Sequence, residues 1–383
     1  MKKLAIITTH PIQYYAPIFK LLSHRGKIAV RVFYTMGESA VDKQDEGFKK
    51  AIKWDVPLLE GYEFEWMENV AGNAGSHRFK GIVTPGAIEQ VKKYNPDALL
   101  VFGWAYQSHL KIIRFFNGKI PIYFRGDSTL LNEVGGLRKT LRYIFLRWIY
   151  GHIDHAFYVG KNNNDYYLKY GLREGELSFA PHAIDNSRFE IERSREADEL
   201  RLALGLTNND ILVLYAGKFE PVKNLELLVQ AFSALNKPDV HLLLAGNGPD
   251  EDKLKAMVKS SNIHFTGFKN QTYMPVLYQA ADLFCLPSKS ETWGLSVNEA
   301  MACGKAVLAS DKVGCAADLI AGRKNGAVFV SNNAGSLLDE LQQLTADKAR
   351  LTKLGWQSKL IIKDWDFLHI AEAIENKLLN EAH

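Results

Sequence analysis

Two glutamates stand eight positions apart in the stretch Ser288-Lys-Ser-Glu-Thr-Trp-Gly-Leu-Ser-Val-Asn-Glu299. The apolar run 283–286 ends just before it, and Gly304 closes it as a helix C′ glycine would. A helix starting near Gly294 and Leu295 puts Glu299 in its second turn, reachable from the end where Glu291 lies. The first N–H groups of such a helix lack a partner within it and can face a phosphate. Carboxylates accept hydrogen bonds from sugar hydroxyls. One place thus offers phosphate donors beside hydroxyl acceptors, which is what a nucleotide sugar needs. The plainer reading is a surface Glu and an early-helix Glu stabilised by the helix dipole.

A second basic and glycine-rich set lies upstream. The apolar run 211–216 leads into Gly217-Lys218-Phe-Glu-Pro-Val-Lys223-Asn224, and a helix follows. Lys218 and Lys223 near a helix start suit a diphosphate; two solvated lysines are the ordinary alternative. The run 240–245 ends in Gly246-Asn247-Gly248-Pro249. Those glycines allow a tight turn or a close approach of backbone to a ligand. After the first apolar run the chain reads Thr9-His10-Pro11-Ile12-Gln13-Tyr14, not GxGxxG, and GxxxxGK[ST] is absent. A dinucleotide dehydrogenase and a P-loop enzyme are therefore disfavoured.

These residues follow short apolar runs, and the runs form a series. Strands are expected at 4–8, 28–34, 98–102, 120–124 and 153–159, then at 211–216, 240–245, 263–266, 283–286 and 306–309. They lack strict alternation, as expected of strands buried on both faces of a parallel sheet. Helical patterns lie between them, for example 224–235 and 271–280. Repeated strand–helix units imply right-handed crossovers and doubly wound α/β sheets. Two series, parted by the charged stretch 190–199, imply two Rossmann-like domains. The segment 37–81 is read as an excursion from the first sheet. In such sheets ligands bind at the carboxyl ends of the strands, where the motifs stand.

The 383 residues are enough for two domains, and 47% hydrophobic with 23% charged residues is ordinary globular composition. Disorder, collagen and coiled coil are excluded. The longest apolar run, 98–106, is far short of a membrane span. The apolar start at 4–7 ends too soon for a signal peptide and reads as a buried strand. Three cysteines without CxxC spacing read as reduced thiols, and no zinc site is expected. The net charge is +4, but residues 1–185 carry 25 basic against 18 acidic residues and residues 186–383 carry 22 against 25. A basic half can face something anionic, or its surface charge has merely drifted. Residues 137–151, LRKTLRYIFLRWIYG, have apolar positions at helical spacing with Arg138, Lys139, Arg142 and Arg147 among them. This segment packs as a crossover helix with solvated arginines, or lies on anionic lipid.

Together these motifs resemble the retaining glycosyltransferases of family 4, which share the GT-B fold, and at HPIQY a bacterial subset of them. Glu291-x7-Glu299 with Gly294-Leu295, the basic loop 217–224, Gly246-Asn247-Gly248-Pro249, His264-Phe-Thr-Gly267 and Met301-Ala-Cys-Gly-Lys-Ala-Val307 occur in the family's order and spacing. The resemblance implies two Rossmann-like domains facing each other across a cleft. Residues 1–185 would bind the acceptor, 186–364 the nucleotide-sugar donor, and a C-terminal helix in 365–383 would pack back on the first domain. Lys218 and Lys223 would hold the diphosphate, with Gly217 and Gly246 in the loops around it. Glu299 would take the ribose, Glu291 would sit beside the donor sugar, Gly294 and Leu295 would offer N–H groups, and Phe268 lies where the family contacts the base. His182 occupies the interdomain loop, usually Pro-Asn-Gly. His10, Gln13 and Tyr14 would serve the acceptor. The family's histidine after the strand at 120–124 is replaced by Arg125-Gly-Asp127, so Arg125 or Asp127 must serve at that catalytic position.

The implied activity is transfer of a sugar, with retention, from a nucleotide-diphosphate sugar to a saccharide or lipid-linked acceptor in bacterial surface polysaccharide or glycoconjugate synthesis. No resident cofactor is expected. Metal independence is expected too, no Asp-x-Asp metal motif being read in the chain. The expected place is the cytoplasm, with peripheral contact at the inner membrane face if 137–151 binds lipid, and no nucleic-acid partner. A GT-B-type sugar-nucleotide epimerase and a non-catalytic nucleotide-sugar binding protein are the competing readings.

Overall fold

Leu4, Ala5, Ile6 and Ile7 have no exposed surface. They belong to β1 (Lys3–Thr8), an inner strand of the first of two parallel sheets. The computed structural model describes residues 1–38, 44–45, 50–51, 54–133 and 136–381; the side chains of residues 44, 45, 50, 51, 137 and 138 lie outside that description. Two compact units result, one of Met1–Lys43, Pro57–Pro181 and Phe367–His383, the other of Gln44–Val56 and His182–Asp366. The first unit thus ends at Pro181, with 185 the expected boundary.

In the first unit β1 is followed by α1 (Ala16–Arg25), β2 (Ala29–Tyr34), β3 (Glu63–Trp66), α2 (Ala87–Tyr94), β4 (Ala98–Phe102), α3 (Gln107–Phe116) and β5 (Ile122–Arg125). Then come α4 (Leu137–Tyr150), β6 (His155–Tyr158), α5 (Lys161–Lys169) and β7 (Leu177–Phe179). The strand order is β3-β2-β1-β4-β5-β6-β7, all parallel. β3 corrects the reading of 37–81 as a mere excursion: Glu63–Trp66 pairs in register with Arg31–Tyr34 and forms the sheet edge. Its alternating charges, Glu63 and Glu65, hide the strand among polar residues, and Arg31 binds both at 2.7 and 2.9 Å. The C-terminal helix belongs to this unit. Glu375 is buried beneath Arg25, whose Nε and Nη2 donate to its two oxygens at 2.8 and 2.9 Å.

The second unit repeats the plan. It contains α6 (Asn186–Glu190), α7 (Ser194–Ala203), β8 (Ile211–Ala216), α8 (Leu225–Leu235), β9 (Val240–Ala245), α9 (Glu251–Met257), β10 (Ile263–Gly267), α10 (Met274–Ala280) and β11 (Leu283–Leu286). It continues with α11 (Leu295–Ala302), β12 (Ala306–Ser310), α12 (Ala316–Leu319), β13 (Gly326–Phe329), α13 (Ala334–Leu344) and α14 (Lys348–Ile362), and α15 (Phe367–Asn380) returns to the first unit. The strand order is β10-β9-β8-β11-β12-β13, all parallel. The charged stretch 190–199 is the end of α6 and the start of α7. Every residue of β8, β11 and β12 is buried, and burying a Leu or Ile fully stabilises the fold by about 1.5–3 kcal/mol. Such continuous apolar runs are stable only with both sheet faces covered.

Candidate functional site

In the second sheet the strand order reverses between β8 and β11, and the residues after these two strands meet. Lys223 ends a 3₁₀ turn, Pro221–Lys223, that opens on a proline; Asn224 then takes a left-handed conformation, φ +58°, and starts α8. The Lys223 Nζ donates to Glu291 Oε2. Both side chains are about one-fifth exposed, 21 and 19%, so the pair sits at a mouth rather than in the core. A backbone bond from Lys289 N–H to the Val222 carbonyl, 2.8 Å, joins the two loops behind it. This is the crevice where open α/β sheets bind ligands.

The loop of Glu291 is held from its other side. Glu291 N–H donates to the Lys312 carbonyl at 3.0 Å, and Gly314 N–H donates back to the Glu291 carbonyl at 3.0 Å. A Cβ on Gly314 would lie 1.8 Å from the Thr292 carbonyl oxygen, so no other residue fits there. Gly294 precedes α11 with φ +99°, and a Cβ on it would lie 2.9 Å from Leu286 Cδ2 and 3.0 Å from Val313 Cγ1. No side chain caps α11. Its first-turn N–H groups, including that of Leu295, have no carbonyl four residues back to bind, and the positive end of the helix dipole lies there.

Gly246 and Gly248 follow β9, the neighbour of β8 on the side away from β11. A Cβ on Gly246, φ +139°, would lie 1.9 Å from the Gly217 carbonyl oxygen. Gly217 N–H donates to the Ala245 carbonyl at 3.0 Å, and Phe219 N–H to that of Asn247 at 2.9 Å. The register between β9 and β10 shifts between Leu244 and Ala245, which turns the chain end at this point. The glycines therefore let one strand-end loop lie on the next. Lys218 is half-buried in that loop, and its carbonyl accepts the Tyr215 hydroxyl at 2.7 Å. Burial, with the Glu291 and Glu220 carboxylates nearby, raises the Tyr215 pKa far above its ordinary value.

Glu299 is buried, and its Oε2 accepts the Tyr278 hydroxyl at 2.7 Å. Phe268 follows β10 at the same sheet edge and is half-buried. His182 is buried, its ring 6.0 Å from that of Trp293. The Trp293 indole N–H donates to Asn298 Oδ1 at 3.0 Å, and Asn298 Nδ2 to the His182 carbonyl at 2.8 Å. Trp293 and Asn298 escape a reading by residue type, since a Trp and an Asn carry no catalytic signature. Their place within the Glu291–Glu299 spacing was the signal available.

The crevice of the first sheet lies between β1 and β4. His10 follows β1, its Nδ1 2.9 Å from Thr9 Oγ1, and Gln13 and Tyr14 are half-buried in the turn before α1. The next ring, Tyr15, packs 4.8 Å from Phe102 at the end of β4; burial and then Asp127 raise its pKa, while Arg125 acts the other way. Arg125 is 2% exposed. Its Nη1 and Nη2 donate to the carbonyls of Ala180 and Pro181, both at 2.8 Å. That guanidinium anchors backbone, and Asp127, half-buried, is the more accessible of the two residues expected to replace the family's histidine.

His109, on α3, has no sequence signal beyond an ordinary helix position. The structure buries it fully, with Nδ1 2.7 Å from the Gly103 carbonyl and Nε2 2.8 Å from Thr35 Oγ1. The carbonyl can only accept, so Nδ1 carries the proton, and the Thr35 hydroxyl lies within reach of both Nε2 and the Thr8 carbonyl, 3.1 Å away. Burial lowers its pKa to about 4, so the ring is neutral and ties the ends of β2 and β4 together.

Two Asp-x-Asp triplets do occur, Asp250-Glu251-Asp252 and Asp364-Trp365-Asp366, which corrects the sequence reading. The first stands at the N-terminus of α9, where acidic residues complement the helix dipole. Among the described residues no three His, Cys, Asp or Glu gather as a metal would require. Cys285, Cys303 and Cys315 are free and buried. No helix among the described residues is long and apolar enough to cross a membrane.

Residues 196–360 match the family model of glycosyl transferases group 1. A D-inositol 3-phosphate glycosyltransferase of Gordonia bronchialis is 29% identical over 191 residues, 45% of this chain and 41% of that enzyme. The chain spans about half the length of the curated relatives it matches. Across the whole chain the fold is shared with solved structures at low identity. A sucrose-phosphate synthase of Thermosynechococcus elongatus has a TM-score of 0.75 at 20% identity, with 98% of both chains covered. Anabaena HepE, solved with UDP and glucose, has 0.71 at 18%, with 100% of both covered. The chain thus has the two Rossmann-like α/β units of the GT-B glycosyltransferases, and its second unit carries the match to glycosyl transferases group 1.

Proposed function

We propose that the protein is a retaining, metal-independent glycosyltransferase of family 4 that takes a sugar from a nucleotide-diphosphate donor. The observation that carries this reading is the Lys223–Glu291 pair at the β8/β11 switch point, in front of the uncapped start of α11. Lys218 and Lys223 supply positive charge to the diphosphate, and the N–H groups after Gly294 add to it. The match over 196–360 and the UDP and glucose in HepE support a nucleotide-sugar donor. Glycosyl transfer passes through an oxocarbenium-like transition state in which negative charge grows on the leaving diphosphate. Groups aimed at that charge lower the barrier. Retention follows if the acceptor attacks from the face the diphosphate leaves, the diphosphate oxygen taking the acceptor proton. Glu291 sits beside the sugar ring, Glu299 takes the ribose, Phe268 and His182 border the nucleotide, and His10, Gln13, Tyr14 and Asp127 serve the acceptor.

The acceptor is a saccharide or a lipid-linked saccharide, in bacterial surface polysaccharide or glycoconjugate synthesis, at the cytoplasmic face. A thermal-shift panel over uridine, guanosine and adenosine diphosphate sugars tests the donor site, followed by turnover with and without chelator. A donor that raises the melting temperature and is consumed in chelator supports the reading. Donor epimerised in the absence of acceptor moves the assignment to an epimerase, and binding without turnover to a non-catalytic protein.

A further inference from the structure

Helix α4 packs only a narrow strip against the first sheet. Leu146, Ile149 and Tyr150 are buried, whereas Leu141, Ile144, Phe145 and Trp148 are 70, 61, 43 and 42% exposed. At 3.6 residues per turn these four fall within about 100° of arc, the width of a full apolar face. The apolar positions at helical spacing therefore make two faces, and only one of them is core. Isolated exposed apolar residues are ordinary, but a contiguous set marks a surface meant for covering.

The surroundings identify what covers it. Residues 137–150 contain two Arg and one Lys besides Arg138, and no acidic residue. Arg142 and Arg147 are exposed and border the apolar arc on either side, about 60° beyond it. The rings are held in place before any partner arrives: Phe145 lies 5.9 Å from Trp148 with planes 23° apart, and the Arg114 guanidinium sits 5.5 Å over Trp148. An apolar strip with a tryptophan, flanked by cations and free of anions, fits the headgroup boundary of an anionic bilayer. A second protein chain would match these cations with acidic groups of its own; a bilayer supplies them across its whole surface. Trp104, two residues after β4, packs edge-on to Phe145 at 5.8 Å, so the face adjoins the end of the sheet that holds the β1/β4 crevice.

We propose that the Leu141–Trp148 face of α4 docks this protein on anionic membrane, which would bring hydrocarbon-anchored acceptors to the crevice of the first unit. The docking is argued from the helix itself; only its service to an acceptor rests on the transferase reading. The test is co-sedimentation of the full chain with vesicles of phosphatidylcholine alone and with 30 mol% phosphatidylglycerol, at low and high salt. Binding is expected to need phosphatidylglycerol, to fall with salt, and to drop about fivefold for each of Arg142→Gln and Arg147→Gln. Ile144→Ser with Phe145→Ser is expected to lose it more than tenfold. Neither side chain belongs to the buried core, so the Ser variant folds and the donor-induced shift stays at the wild-type value; a retained donor shift separates this test from that of the donor site. Equal binding to both vesicle types, or wild-type binding by the Ser variant, overturns the proposal. So does a wild-type dimer in light scattering that the Ser variant converts to monomer, since the face would then be a seam between copies.

Discussion

The two sheets share one plan, with the order reversing beside the first strand of each, yet their switch points are built differently. After β8 and β11 the charged groups Lys223 and Glu291 meet at a partly exposed mouth. Beside the first crevice His109, on the helix after β4, and Arg125, the last residue of β5, are buried, and their donors go to backbone carbonyls. The topology supplies a crevice in both cases. What stands just past the strands decides whether it presents charge to a ligand or holds its own walls. Lys223 and Glu291 are thus placed to meet a ligand, whereas His109 and Arg125 hold the walls of the first crevice and leave the half-buried His10 and Asp127 to face it.

Four experiments test this contrast. The largest effect is expected from Lys223→Ala and Glu291→Ala, each losing transfer by about 10²–10³ with an unchanged circular dichroism spectrum; wild-type rates in either would remove the second crevice from the reaction. Gly246→Ala forces a Cβ to 1.9 Å from the Gly217 carbonyl at φ +139°, and about 2–3 kcal/mol of stability should be lost in urea unfolding, together with donor binding.

For the first crevice the readout is stability. His109 titrates near 6.5 when unfolded and near 4 when folded. Between those values the unfolded chain binds more protons, so stability falls as pH drops from about 6.5 to 4 and is full above that window. The loss is on the order of 3 kcal/mol from His109, and His155, lowered to about 4 by burial and Lys377, acts in the same window. His109→Leu should be less stable at pH 7 by about 1–3 kcal/mol but show a shallower acid decline in denaturant midpoints. Turnover lost in that variant at unchanged stability would break the comparison. The smallest effect is expected for Lys218→Ala, about tenfold in donor affinity, measured by titration calorimetry.

Much of this was legible beforehand because its signals are local. The runs at β8, β9 and β11 are continuous apolar segments, and the glutamate spacing with Gly294 and Gly304 marks both ends of α11. Gly304 indeed ends it, φ +68°, with its N–H on the Met301 carbonyl at 2.9 Å. What escaped was either weakly patterned or non-local. β3 alternates with charges, and β7 and β13 are short. His109 looks like any helix residue until Thr35 and Gly103 surround it.

Hydrophobic periodicity and turn residues act within a few positions, so the two βαβ series and the chemistry waiting after their strands are written in the chain itself. Folding in three dimensions was needed for Lys223 to meet Glu291, 68 residues away, for Arg125 to face backbone carbonyls, and for one apolar side of α4 to stay uncovered. Such pairings depend on which strands are neighbours and how much surface each sheet can cover. A helix carrying two apolar stripes satisfies its own periodicity with either one inward; here Tyr150 meets Phe124 and Tyr167 of the core, and that packing faces the Leu146–Tyr150 stripe inward.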